Sequence, residues 1–194
     1  MSSSRLFVGR FPALLAATLV AGLTASVAAQ GKPVRYSAIA VNVDPSVNLT
    51  ATTAQIAVER WSTDAERDQL LETTAGGQGA LLKALQKMPK AGSIRTPDSV
   101  TYDLRYARQI PMEGGSTQVV LVTDRQMSFF EAANRPRTAD YPFMVVELRL
   151  DPKGEGEGKI TVATKITASP KTRHIILENY GSQPVQLTKV KMDN

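Results

Sequence analysis

Two charged residues sit within stretches that otherwise read as apolar strands. In FMVVELRLD, Glu147 shares a face with Phe143 and Val145, whereas Met144, Val146, Leu148 and Leu150 take the other. In SVTYDLRYARQI, Val100, Tyr102, Leu104 and Tyr106 alternate against Thr101, Asp103 and Arg105. Strand side chains alternate between two faces, which leaves two roles for Glu147 and Arg105. They form cross-strand ion pairs on an outer face, each contributing about 0.2–1 kcal/mol, or they line a polar interior that orients an acidic or polar ligand. ANRPRTADYP adds Arg135, Arg137 and Tyr141, a set able to make an anion or aromatic contact. Long loops over a rigid sheet often carry function, although most only connect. Arg105, Glu147, Arg135, Arg137 and Tyr141 are therefore the candidate ligand-binding residues.

Catalytic and cofactor chemistry finds little material. DPKGEGEGK, residues 151–159, has the glycine density of a phosphate loop, but a P-loop needs G-x-x-x-x-G-K-[ST]. Here Lys153 stands at the first glycine position and Ile160 at the hydroxyl position. The dinucleotide fingerprint fails at Lys159, and Glu155 and Glu157 repel phosphate. Asp151, Glu155 and Glu157 lack the spacing of a calcium loop. The stretch reads as the turn of a β-hairpin. Gly76-Gly77-Gln78-Gly79 precedes a helix and offers amides to an anion, or is a plain interhelical turn. His174 is the one histidine and cysteine is absent, so neither a Cys–His pair nor the usual zinc ligand sets exist. No G-x-S-x-G elbow accompanies His174. Glu59, Asp103, Glu147 and Glu178 are the carboxylates that a hydrolase would have to bring together in pairs. No catalytic, cofactor-binding or metal-ligating residue is assigned.

The elements that must position these residues begin after a leader. Arg5 and Arg10, the apolar run FPALLAATLV and the small residues Val27-Ala28-Ala29 have the layout of a secretory signal peptide over 1–29. The run is too diluted for a membrane span of about 20 apolar residues, and no later segment is apolar enough to span. Residues 30–194 form one domain, with 21 basic residues against 18 acidic ones. That net charge of +3 is no nucleic-acid footprint. An exported domain without disulfides points to a bacterial periplasmic or extracellular protein. Asn48-Leu49-Thr50 matches a glycosylation sequon, which has no meaning on that reading.

Period-two patterns predict strands in RYSAIAVNVD, TATTAQIAVERW, SVTYDLRYARQI, TQVVLVTD, RQMSFFEA, FMVVELRLD, KITVATKIT, RHIILENY and PVQLTKVKM. Between the second and third, Thr63-Asp64-Ala65-Glu66 is a capping box. Gly76-Gly77 breaks that helix, and a second places Leu81, Leu82, Leu85 and Met88 on one stripe before Pro89. The expected fold is mainly β (α+β). A curved antiparallel sheet of about eight strands, barrel-like or a sandwich, carries a two-helix hairpin inserted after the second strand.

RWSTDAERDQLL with LLKALQKMP, IRTP with YDLRYARQ, and DYPFMVVELRLD with GEGEGK together resemble an uncharacterised family of exported bacterial proteins. The resemblance implies a bacterial source and carries no catalytic residue, cofactor or substrate. The missing motifs favour a binding module for a small or lipid-like ligand held between sheet and helices. An envelope or extracellular protein-interaction domain without a pocket is the alternative, and a carboxylate-dependent hydrolase is the third reading.

Overall fold

A computed structural model of the chain describes residues 32–41, 51–97, 100–125, 140–169, 175–179 and 183–193. The leader, the sequon, the expected strand RQMSFFEA, Arg135, Arg137 and His174 lie outside the described residues.

The strands are β1 (Val34–Val41), β2 (Thr52–Val58), β3 (Gly92–Arg95), β4 (Tyr102–Pro111), β5 (Thr117–Thr123), β6 (Phe143–Leu150), β7 (Glu155–Ala168), β8 (Ile175–Asn179) and β9 (Val185–Asp193). Every pairing is antiparallel. Strands β1 to β7 neighbour one another in chain order, and β9 fits between β7 and β1. Eight strands thus close into a barrel, with β8 as one extra strand on β7. Closure removes the free edges that an open sheet would expose. A barrel of eight strands is narrow enough for side chains to fill, and one contiguous cluster fills this one. It includes Tyr36, Ile56, Trp61, Tyr102, Leu104, Leu121, Met144, Val146, Leu148, Ile160 and Leu187.

The glycine-rich stretch differs from its expected form. The turn is confined to Asp151–Gly154, where the Asp151 carboxylate accepts from the amides of Lys153 (2.8 Å) and Glu155 (3.0 Å). Gly156 and Gly158 belong to β7 itself and face inward between β6 and β9. A β-carbon on Gly156 would lie 1.9 Å from the Arg149 carbonyl oxygen, so the strands approach too closely for any side chain there. Glycine at such a point marks a barrel corner rather than a loop.

Strand β4 also departs from simple alternation. A register shift between Leu104 and Tyr106 keeps Leu104 in the barrel but turns Tyr106 outward, and Ala107 takes the inward place. A β-bulge re-aims side chains in this way.

The helical insertion follows β2 as expected, but it is one continuous helical segment of 24 residues. It comprises α1 (Asp64–Thr73), a 3-10 turn (Thr74–Gly76) and α2 (Gly77–Lys87). Gly77, at φ 80° and ψ −179°, departs from helical backbone between the 3-10 turn and α2, a conformation that glycine adopts freely. The capping box is present: the Glu66 amide donates to Thr63 Oγ1 at 3.2 Å, and the Thr63 amide donates to Glu66 Oε2 at 2.8 Å.

Arg60 ties both ends of this segment to the barrel. Its guanidinium donates to the two Glu66 oxygens at 3.0 and 2.9 Å and to the Pro89 carbonyl at 3.1 Å. Partial burial pushes the Glu66 carboxyl up, but the Arg60 and Thr63 hydrogen bonds and the Arg60 charge outweigh it and hold it below the usual range. A lowered folded-state pKa stabilises above the unfolded value, near 4.5, and the contribution disappears as pH falls through the folded one. Glu66→Gln should therefore cost about 1.5–3 kcal/mol at pH 7. Urea melts of the two proteins at pH 7 and pH 3 should show that gap narrowing in acid; a gap that stays constant would remove Glu66 from the acid response.

Candidate functional site: a cleft between barrel and helix

The outer face of β4–β7 beneath the helical segment is apolar. Tyr106 on β4, Val122 on β5, and Phe143 and Val145 on β6 meet Leu70, Leu81, Leu85 and Met88 from the helix in a second buried cluster. Strand β6 is therefore covered on both faces, which its near-continuous hydrophobic run required.

Strand β7 supplies the side wall because it is shared. Thr164 pairs with both Phe143 and Asn179, so β6 and β8 lie on opposite edges of β7. Beyond Thr164, β6 has ended, and Gln78 of α2 takes its place. Its side-chain amide donates to the Ile166 carbonyl at 2.7 Å and accepts from the Ile166 amide at 2.8 Å. One glutamine thus satisfies both backbone groups that a further β6 residue would have paired. Gln78 is a strand surrogate, and it lends no support to the anion alternative weighed beside a plain turn for this glycine-rich stretch.

Between the helix, the β4–β6 face and the β7–β8 arm lies a cleft of about 240 Å³. Tyr106, Val120, Val122 and Val145 form its floor, Leu71, Leu81 and Leu85 one wall, and Ile166, Ile175 and Leu177 the other. Ile110 and Ile175 stand at its rim, 37% and 51% exposed. Burial raises the Tyr106 phenol, against the opposing pull of Arg108 and Arg67. Arg67, Thr74, Gln118 and Glu147 supply the cleft's other polar groups.

Glu147 takes the outer-face, cross-strand ion-pair role weighed for it, opposite Lys159 of β7, and also lines this cleft. Its carboxylate is 19% exposed, with Lys159 Nζ 2.8 Å from Oε2. Gln118 Nε2 donates to Oε1 at 3.5 Å. Lys159 thus compensates the charge on Oε2, an atom with essentially no exposed surface. Arg105 also lies outside the barrel, away from the cleft. It donates to Asp124 at 2.9 Å and sits 3.7 Å from Asp103, which pairs with Lys90 at 2.8 Å. That is the surface ion-pair role, worth little per pair. Tyr141 packs against the barrel cluster, and its hydroxyl donates to Glu178 at 2.7 Å. That bond and the Lys165 charge hold the Glu178 carboxyl low. Of the described candidates, only Glu147 lines the cleft.

The polar-interior alternative does not hold. Among the described residues the buried polar side chains are Ser62, Thr123, Thr161 and Thr164, none of them charged. Among the described residues no group of three His, Cys, Asp or Glu gathers as a metal site, and no helix is long and apolar enough to cross a membrane. Of Glu59, Asp103, Glu147 and Glu178, Glu147 alone reaches the cleft, which leaves it without the second carboxylate that glycoside hydrolysis uses. No family model matches the chain, and no curated protein or solved structure is similar to it.

Proposed function

We propose that the protein is a non-enzymatic binding module that holds a small apolar or lipid-like ligand between its barrel and its helix. The single observation carrying this reading is the cleft, an apolar recess with few polar groups. That is the usual composition of a small-molecule site. Its volume exceeds that of engineered cavities that take up benzene, about 150 Å³. A six- to eight-carbon chain is about the size it admits. The leader-like N-terminus and the likeness to exported bacterial proteins favour work outside the cytoplasm, in the periplasm or beyond.

The leaderless protein, residues 30–194, should gain about 3–5 °C in Tm at saturating 1-octanol. Leu71→Trp, a half-buried change on the cleft wall, should keep the far-UV spectrum and abolish the gain. If no apolar probe stabilises the protein, or Leu71→Trp responds like the parent, the cleft is not a binding site. The exposed Ile175 and Ile176 of the edge strand β8, 51% and 56% exposed, would then favour the reading as a protein-interaction domain.

A further inference from the structure

We infer that Gln118 reads the polar end of the ligand, and that it selects a medium-chain amphiphile with a neutral primary amide head. This rests on the cleft being a ligand site and adds which residue meets the head and what the head must be. Gln118 emerges by elimination among the cleft's polar groups. Arg67 donates from Nε and Nη2 to Asp68 Oδ1 at 2.9 and 2.8 Å, with Asp64 4.0 Å away. Thr74 gives its hydroxyl proton to the Leu71 carbonyl at 2.6 Å. The buried Tyr106 hydroxyl meets Arg108, and Lys159 compensates Glu147 at 2.8 Å. Gln118 differs. It is part-buried, and among the described residues its side chain makes a single long hydrogen bond, 3.5 Å from Nε2 to Glu147 Oε1. Its Oε1 takes no donor and is not enclosed.

Position supports the role. Gln118 pairs with Ile110, which stands 37% exposed at the rim. Val120 and Val122 follow it on the same face of β5 and form the floor. A tail lying over these valines therefore brings its head to Gln118. There the side-chain amide offers Oε1 as acceptor and its second Nε2 hydrogen as donor, in one plane. A primary amide presents the complementary pair, donor and acceptor side by side. An ionised carboxylate only accepts, so it would leave Oε1 facing a second acceptor. A ketone likewise accepts without donating.

Three probes of matched shape test this by titration calorimetry on the leaderless protein: hexanamide, 2-heptanone and hexanoate, the last ionised at pH 7. The ketone carries a methyl group where hexanamide has its nitrogen. Hexanamide should bind about tenfold tighter than either, the worth of the added hydrogen bond to a group otherwise left unpaired. Gln118→Met keeps the length of the side chain; it should hold the ketone as the parent does and bind the amide no better. Should that variant not fold, Gln118→Leu carries the same comparison. Leu71→Trp should abolish binding of all three, which ties the preference to the cleft. Equal binding of amide and ketone by the parent, tighter hexanoate, or an amide preference that survives Gln118→Met overturns the assignment of Gln118 while leaving the cleft as a site. Failure of all three probes removes the cleft reading itself.

Discussion

Gly156→Ala is expected to destabilise the barrel by about 3 kcal/mol or more, at or beyond the upper end of overpacking changes. Most overpacked sites relax by moving a side chain. Here the added carbon meets backbone, the Arg149 carbonyl oxygen at 1.9 Å and the Leu150 Cα at 3.2 Å. Relief therefore requires β6 and β7 to separate. Gly156 also pairs with Val190 of β9 on its other side, so neither edge has room to yield. The adjacent Glu157 is exposed, and Glu157→Ala should stay within about 0.5 kcal/mol of the parent. Urea melts of the two variants provide the comparison. Equal midpoints would show that the corner tolerates a side chain, and that the glycines serve another purpose.

Trp61→Ala is expected to cost about 3–5 kcal/mol, the range for emptying a large aromatic site. Trp61 is fully buried in the barrel cluster where β2 gives way to the helix, and its indole N–H donates to the Lys32 carbonyl at 2.8 Å. Its neighbour Ser62 exchanges hydrogen bonds with Ala107 of β4, donating from its amide at 2.7 Å and accepting at Oγ at 3.1 Å. Removing the indole thus hollows the point from which the helical segment is directed. Trp61→Phe keeps most of the apolar volume and loses the hydrogen bond, so about 1 kcal/mol should go with it. Circular dichroism melts measure both, since the chain's one tryptophan is the residue removed. An alanine variant as stable as the phenylalanine variant would refute the packing role.

What was legible in the sequence was local. The capping box at Thr63, the stop before Pro89 and the alternation of Met144, Val146, Leu148 and Leu150 all rest on near neighbours. Tyr106 was misassigned because one extra residue in β4 reverses every later side chain, and no motif marks such a bulge. Gly156 and Gly158 read as a turn because glycine clusters usually are one. Their need arises from β6 and β9, which lie elsewhere in the chain. A place between sheet and helices follows from the order of the elements, but the lining of the cleft does not: its walls come from the helix and five strands. Gln78 carried no signal at all, since pairing with Ile166 spans 88 residues.

Closure by β9 sets when this molecule can exist. Arg35 pairs with Asp193, and Ser37 Oγ reaches the Asp193 carboxylate at 3.0 Å across 156 positions of chain. The first strand must therefore wait for β9, and the barrel closes only once β9 has been made. Such non-local pairing belongs to the slow end of folding, milliseconds to seconds. Until β9 is in place the apolar interior of the barrel stays open along β1 and β7, and a delay before closure is inherent in the order of its strands.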